Sequence, residues 1–468
     1  MFSLPAALSL WLLLSGAPDL EQALARFTGV FALVEEHASE PLNFEQAFYQ
    51  GAIPGMLRRL DPHSVFFDPA QFEQLQEMQT STRKGFGSVV SVLPGRVIVL
   101  QTLPGTPSAR SGMAPGDEIL AVNGYRLDRL EMEQLIALLG AARRETARVE
   151  VKRPGEPSML QFVLAPEEMQ SPSVERAFFL AAGIGYVRVA SFEEKTGAQL
   201  REAIEKLGGG KLKGLVLDLR NNPGGLLPAA LETASLFLKP GQTVLKVRGR
   251  AVAEREEKAP ENFHPYSFPL AVLINGRSAS ASEIVAGALQ DHGRAAIVGE
   301  PSFGKGLVES VYPLSAGAGL ALTTAFYYTP SGRSIQRPLD RAQFALAAKV
   351  TAERGGILPG HVAYPEPVSR LRAVLEASGS FPEFAAEYLR THKAGPDFEV
   401  TPEVLDDFQL FLSERRIRPG VGEWSSERDF MRNRLKTEIF NQALGVEKGD
   451  EIEAERDPQV RKALDVLQ

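Results

Sequence analysis

The chain has 468 residues, 51 lysines and arginines against 58 aspartates and glutamates for a formal net charge of −7, 44% hydrophobic and 23% charged residues, and no cysteine. That length exceeds one ordinary core and implies several soluble globular domains, and the acidic balance argues against a general nucleic-acid binder. Without cysteine there is no disulfide framework, no thiol nucleophile and no cysteine-ligated zinc, so any nucleophile is an oxygen or an amine.

Residues 1–17, MFSLPAALSLWLLLSGA, form an apolar run too short to span a bilayer, ending in small residues. They read as a secretory signal peptide that is atypical in lacking a basic start, since the first Lys or Arg is Arg26. With no cysteine to acylate, an exported form would not be lipid-anchored. Residues 18–82 carry helical spacing (LEQALARFTGVFALVEEH, FEQAFYQGAIPGMLRRL), interrupted by the turn-rich DPHSVFFDP. From 83 to 168 short β-type runs (SVVSVL, RVIVLQTL, EILAVNG, ARVEVKR, LQFVLA) alternate with Gly and Pro turns around one helical stretch, EMEQLIALLGAA. Residues 169–366 alternate strands with helices, which predicts an α/β layer of largely parallel strands. Sites in such layers favour loops at the carboxyl ends of strands. Two loops fit: NNPGG after LVLDLR, and GRSASAS after LAVLIN. Residues 367–468 are charged and helical in pattern, without a catalytic constellation.

Three segments could carry chemistry. In SASAS, Ser278, Ser280 and Ser282 stand between a buried-type strand and a helix, where N–H groups at the helix start stabilise an anion. Taken alone, the segment is better explained by helix capping, since Ser is a favoured N-cap. The segment GEPSFGKG imitates a phosphate-binding loop but lacks the Ser or Thr after Lys305, and LVESVYPL follows with strand-like alternation, so nucleotide binding is not expected. Lys305 instead stands between glycines beside Phe303 and Leu307, where loss of water would favour a neutral, basic amine. A serine nucleophile needs a base. Of the six histidines only His292 is near SASAS, and a serine–lysine dyad removes the need for it. In DLRNNPGG, paired glycines allow close backbone approach and could supply oxyanion donors, or could simply form a turn.

Taken in order, LDPHS, the β module, DLRNNPGG, NGRSASASEIVAGALQDHGRAAIVGEPSFGKG and YYTPSGRSIQRP resemble the carboxyl-terminal processing (tail-specific) serine proteases over about residues 20–366. The resemblance implies a ClpP/crotonase-like α/β protease core with an inserted PDZ domain and helical N- and C-terminal regions. It implies Ser280 as nucleophile, Lys305 as base, and the N–H groups of Ala281, Gly224 and Gly225 as oxyanion hole. It implies no metal or nucleotide cofactor. The module resembles a PDZ domain in which Gly85, Phe86, Gly87 and Ser88 hold a peptide carboxylate, so protein substrates with apolar C-termini are the expected partners. Homodimerisation through the helical termini and a periplasmic or cell-envelope location are further implications. One position departs: four residues after the lysine the family usually carries glutamine, and this chain has Glu309. A carboxylate there would favour the charged amine and weaken the base at neutral pH. This gives two expectations, an alkaline-shifted or latent protease, or a PDZ scaffold whose protease core has decayed. A histidine-based serine site at His292 is a rival within the hydrolases.

Overall fold

The structure, a computed structural model, describes residues 18–79, 82–170, 172–338 and 355–468; the apolar run 1–17 lies outside them. Among the described residues the chain forms two compact units, residues 18–72 with 309–323, and residues 73–308 with 324–338 and 355–468. No helix of the described residues is long and apolar enough to cross a membrane.

The first unit begins with helix α1 (Pro18–His37). Its Leu20, Leu24, Phe27, Val30, Leu33 and Val34 are exposed despite their helical spacing. Aromatic packing gathers Phe27, Phe31, Phe44 and Phe48, with Phe44 stacked on Phe48 at 4.6 Å. The LDPHS turn is built by Asp61, which accepts the N–H groups of His63 and Ser64 at 2.7 and 2.8 Å and the Ser64 hydroxyl at 2.7 Å. An Asp that bonds its own downstream backbone in this way fixes a tight turn. Strand β1 (Val65–Phe67) follows it and pairs antiparallel with Gly319–Ala321.

In the second unit the β module is a six-stranded antiparallel sheet in which β2 (Ser88–Leu93), β3 (Arg96–Thr102), β4 (Glu118–Val122), β5 (Ala147–Lys152) and β6 (Leu160–Leu164) pair in that order and the short strand Tyr125–Arg126 pairs with β4. Strict alternation in β5 turns Ala147, Val149 and Val151 inward, as a half-buried strand requires. There they join Val97, Val99, Ile119 and Leu135, the last from helix α2 (Met132–Ala142).

The α/β layer is a six-stranded sheet, ordered β7 (Val174–Ala181), β8 (Ile184–Val189), β9 (Gly214–Asp218), β12 (Leu270–Ile274), β13 (Ala296–Gly299) and β16 (His361–Val362). From β8 onward every pairing is parallel. All residues of β9 and β12 are buried, the continuous apolar run of strands covered on both faces. On one face Leu215, Leu217, Val272 and Ile274 meet helices α3 (Thr196–Lys206), α4 (Leu227–Ser235) and α5 (Ala281–Asp291). The intervening residues Val216, Ala271 and Leu273 point the other way, against Val460 and Ala463 of the last helix. A second, smaller sheet in this unit pairs β10 (Thr243–Arg248) with β11 (Arg255–Lys258) and with Phe326–Tyr328. Strand β14 (Leu307–Pro313) precedes β15 (Gly319–Tyr328).

The C-terminal region is helical as its pattern predicts: α6 (Arg370–Ser378), α7 (Ser380–Thr391), α8 (Pro402–Glu414), α9 (Arg428–Ala443), α10 (Val446–Ala454) and α11 (Pro458–Leu467). Phe381, Phe384, Phe408, Met431 and Leu435 form its own core. It also braces the β module. Arg96 of β3 bonds Glu118 at 2.8 Å, the Ser378 carbonyl at 3.2 Å and Glu383 of α7. A Cβ on Gly379, which has φ of 68°, would meet Leu93 at 2.6 Å, so glycine permits the contact.

Candidate active site

The sheet order delivers the site. Neighbouring parallel strands β9, β12 and β13 end in NNPGG, GRSASAS and the loop 300–306, so the three segments singled out in the sequence emerge side by side at one sheet edge.

The three serines of SASAS separate by burial. Ser278 and Ser282 are fully buried and spend their hydroxyls on the Leu219 carbonyl at 2.7 Å and the Asn222 carbonyl at 3.0 Å. Ser280 is half-buried and stands immediately before α5 with φ of 54° and ψ of −113°. A positive φ at a residue with a Cβ costs of order 1–3 kcal/mol and persists only where the surroundings enforce it. Here they do. The Ser280 N–H donates to Glu283 at 2.8 Å, and the Ser280 carbonyl accepts the Glu283 and Ile284 N–H groups at 2.9 and 3.0 Å. The strained turn lifts one hydroxyl out at a helix N-terminus, where an anion is stabilised.

Glu283 is the residue that sequence reading missed. It is 1% exposed, and each oxygen accepts two donors: Oε1 the Ser302 hydroxyl and Gly304 N–H, both at 2.6 Å, and Oε2 the Ser280 N–H at 2.8 Å and the Lys305 N–H at 2.9 Å. Burial pushes its pKa up; the Ser302 hydroxyl and the three backbone donors pull it back, and the net direction remains upward. One carboxylate oxygen therefore ties the backbones of Ser280 and Lys305 together. The available signal was S-x-x-E from Ser280 to Glu283, a capping box.

The Lys305 loop is held on its other side by residues 327–338, whose role the sequence did not reveal. Gln336, 1% exposed, accepts the Gly306 N–H at 2.9 Å, and Gly304 accepts the Arg337 N–H at 3.0 Å. The Arg337 guanidinium lies 4.0 Å from the Phe303 ring centroid, within cation–π range. Lys305 itself is half-buried. After Gly306 comes strand β14, where a phosphate-binding loop would continue into a helix.

Gly224 and Gly225 have φ of 101° and 145°, open only to glycine. A Cβ on Gly224 would lie 2.8 Å from the Ser280 Cβ and 3.0 Å from the Ala281 nitrogen, and one on Gly225 would lie 2.1 Å from the Phe192 carbonyl oxygen. Backbone thus approaches Ser280 as closely as a side-chain-free residue allows. Of the three N–H groups expected in an oxyanion hole, that of Gly224 donates to Asn222 Oδ1 at 2.9 Å.

His292 lies elsewhere. It caps the far end of α5, an eleven-residue helix that starts after Ser280, so the two are about 18 Å apart along the axis. Its ring nitrogens meet the Thr243 carbonyl at 2.7 Å and Gln242 Nε2 at 3.1 Å. It is not placed to serve Ser280. Glu309 is half-buried on β14 and belongs to the first compact unit, whereas Ser280 and Lys305 belong to the second.

In the β module, Gly87 has φ of 79°, and a Cβ there would overlap Thr106 at 2.2 Å. The Phe86 and Gly87 carbonyls accept the Ser108 and Leu103 N–H groups, each at 2.8 Å. Both carbonyls are thus engaged within the module, and the ends of the loop are paired, Gly85 opposite Glu167 and Ser88 opposite Thr102. Ser88 opens β2, which among the described residues pairs only with β3 and lies at the sheet edge, where an added strand can dock.

Comparison with known proteins agrees with this geometry. A model of peptidase family S41 matches residues 183–340, and a PDZ domain model matches residues 98–153. The carboxy-terminal-processing protease of Bartonella bacilliformis is 38% identical over 324 residues, covering 67% of this chain and 72% of that one. Carboxy-terminal processing protease CtpB of Bacillus subtilis is 29% identical, covering 68% of this chain and 67% of that one. The carboxyl-terminal-processing protease of Synechocystis is 34% identical, covering 65% of this chain and 72% of that one.

Proposed function

Because the chain belongs to peptidase family S41, the serine-type carboxy-terminal processing proteases with a PDZ domain, we propose that it cleaves proteins bearing apolar C-terminal tails through a Ser280/Lys305 dyad. The neutral Lys305 amine takes the proton from the Ser280 hydroxyl as Oγ bonds to the peptide carbonyl carbon, and the carbonyl electrons move to the oxygen. The N–H groups of Ala281 and Gly225 hold that oxyanion, while the Gly224 N–H stays on Asn222 Oδ1. Collapse expels the amine product, which receives the proton from the Lys305 ammonium. Water, giving a proton to Lys305, then releases the acyl group and restores the serine.

The observation that carries this reading is the shared Glu283 oxygen, which sets Ser280 and Lys305 on one anchor. Residues 83–168 act as the PDZ domain, with Gly85, Phe86, Gly87 and Ser88 capturing the tail carboxylate. Residues 169–366 act as the protease core, flanked by helical regions at 18–82 and 367–468. The exposed apolar face of α1 supports a homodimer, and residues 1–17 support export to a bacterial periplasm or cell envelope.

The test is cleavage of a folded reporter with an apolar tail by wild type and Ser280→Ala, alongside the same reporter ending in a carboxamide. Wild-type turnover, loss in the variant and a raised KM for the carboxamide are expected. Equal turnover by both proteins rejects Ser280, and no turnover by either favours the scaffold reading suggested by Glu309.

A further inference from the structure

Asn222 is fully buried in the loop after β9 and uses every polar group it has. Its Nδ2 donates to the Val189 carbonyl at the end of β8 at 2.8 Å, and its Oδ1 accepts the Gly224 N–H at 2.9 Å. Its backbone carbonyl accepts the Ala279 N–H and the Ser282 hydroxyl, each at 3.0 Å, from residues on either side of Ser280. Its own N–H donates to the Leu219 carbonyl at 3.3 Å. Through one residue, therefore, a strand end, the glycine pair and the nucleophile turn are joined.

We propose that Asn222 is a positioning residue that sets the nucleophile turn and the glycine pair in register; the inference rests on the reading of Ser280 as nucleophile. The chemistry calls for an amide in particular. One end faces a carbonyl and must donate, the other faces an N–H and must accept, and a buried group left without its partner is destabilising. Aspartate keeps the acceptor and loses the N–H donor; alanine loses both. The segment that the side chain tethers, Pro223–Gly224–Gly225, contains two residues with unrestricted φ. With the tether removed, Gly224 keeps the bond from the Phe192 N–H to its carbonyl at 2.9 Å but loses the one that fixes its N–H beside Ser280. Asn222 touches no substrate in this scheme. It acts on the rate by holding groups that do, and small misplacements of such groups cost on the order of 100-fold.

The experiment uses the full chain and an apolar-tailed peptide substrate. For Asn222→Ala, kcat should fall about 100-fold, the scale of a small misplacement of reacting groups, with KM unchanged and the circular dichroism spectrum native. Asn222→Asp, which retains the acceptor for the Gly224 N–H, should recover about tenfold of that loss. A kcat for Asn222→Ala equal to wild type overturns the proposal, as does an Asn222→Asp variant that is folded and no faster than Asn222→Ala. Should Asn222→Ala not fold, a folded Asn222→Asp with wild-type kcat overturns it equally. Ser280→Ala separates the two levels: if it still cleaves, the reading of the nucleophile fails, whereas its inactivity beside a fully active Asn222→Ala defeats only the role of Asn222.

Discussion

Three chemically identical serines within five residues show what a sequence can and cannot tell at the scale of one side chain. Ser278 and Ser282 are consumed by carbonyls of the preceding loop, and only Ser280 is left partly open. No local pattern distinguishes them, because the acceptors come from residues 219 and 222, some sixty positions earlier in the chain. Glu283 was legible as half of a capping box, but its partners at Ser302, Gly304 and Lys305 arrive only when the sheet forms. Glu309 is the residue on which sequence reasoning is most specific. Glu309→Gln, which installs the residue that the family resemblance leads one to expect there, should raise kcat at neutral pH. An unchanged kcat removes Glu309 from the mechanism.

Between neighbouring elements, the decisive contact is a buried charge cluster behind the site. Asp218, at the end of β9, is 1% exposed. Burial alone would raise its pKa, but the charge of Arg220 and hydrogen bonds from Arg220 and Tyr186 outweigh that and hold it below its ordinary value. Arg220 also reaches Asp457 and, at 2.8 Å, Gln459 at the start of α11, where Asp457 caps the helix through the Gln459 and Val460 N–H groups at 2.7 and 3.2 Å. The cluster thereby joins the strand that leads into the glycine loop to the helix that covers the back of the sheet. A carboxyl with a depressed folded pKa contributes stability that is complete above the unfolded value of about 3.9 and is lost as pH falls through the folded one. Asp218→Asn should therefore cost about 3 kcal/mol at neutral pH, measured by urea unfolding, and the gap to wild type should close below about pH 4. A gap that persists undiminished into acid would contradict the pairing. The strands and most helices were legible from alternation and helical spacing. The order that makes β9, β12 and β13 neighbours was not, since parallel pairing joins segments far apart in the chain.

For the molecule as a whole, the C-terminal region 367–468 has two structural duties that its charged composition concealed. Val460 and Ala463 of the amphipathic α11 close one face of the central sheet, while α6 and α7 hold β3 of the PDZ domain through Arg96. The partners are distant in sequence, so helical spacing gives an apolar face without telling what it covers. The PDZ domain, Ser280 and Lys305 belong to one compact unit. What the proposed dyad requires chemically is a basic amine beside an accessible serine. The most direct test is the steady-state rate of cleavage of an apolar-tailed protein by Lys305→Ala, in protein whose native fold and tail-peptide affinity match wild type. The expected result is a kcat lower by at least about 1,000-fold, the scale of losing the base that activates a serine. A kcat within tenfold of wild type, about 1.4 kcal/mol of activation free energy, would contradict the dyad.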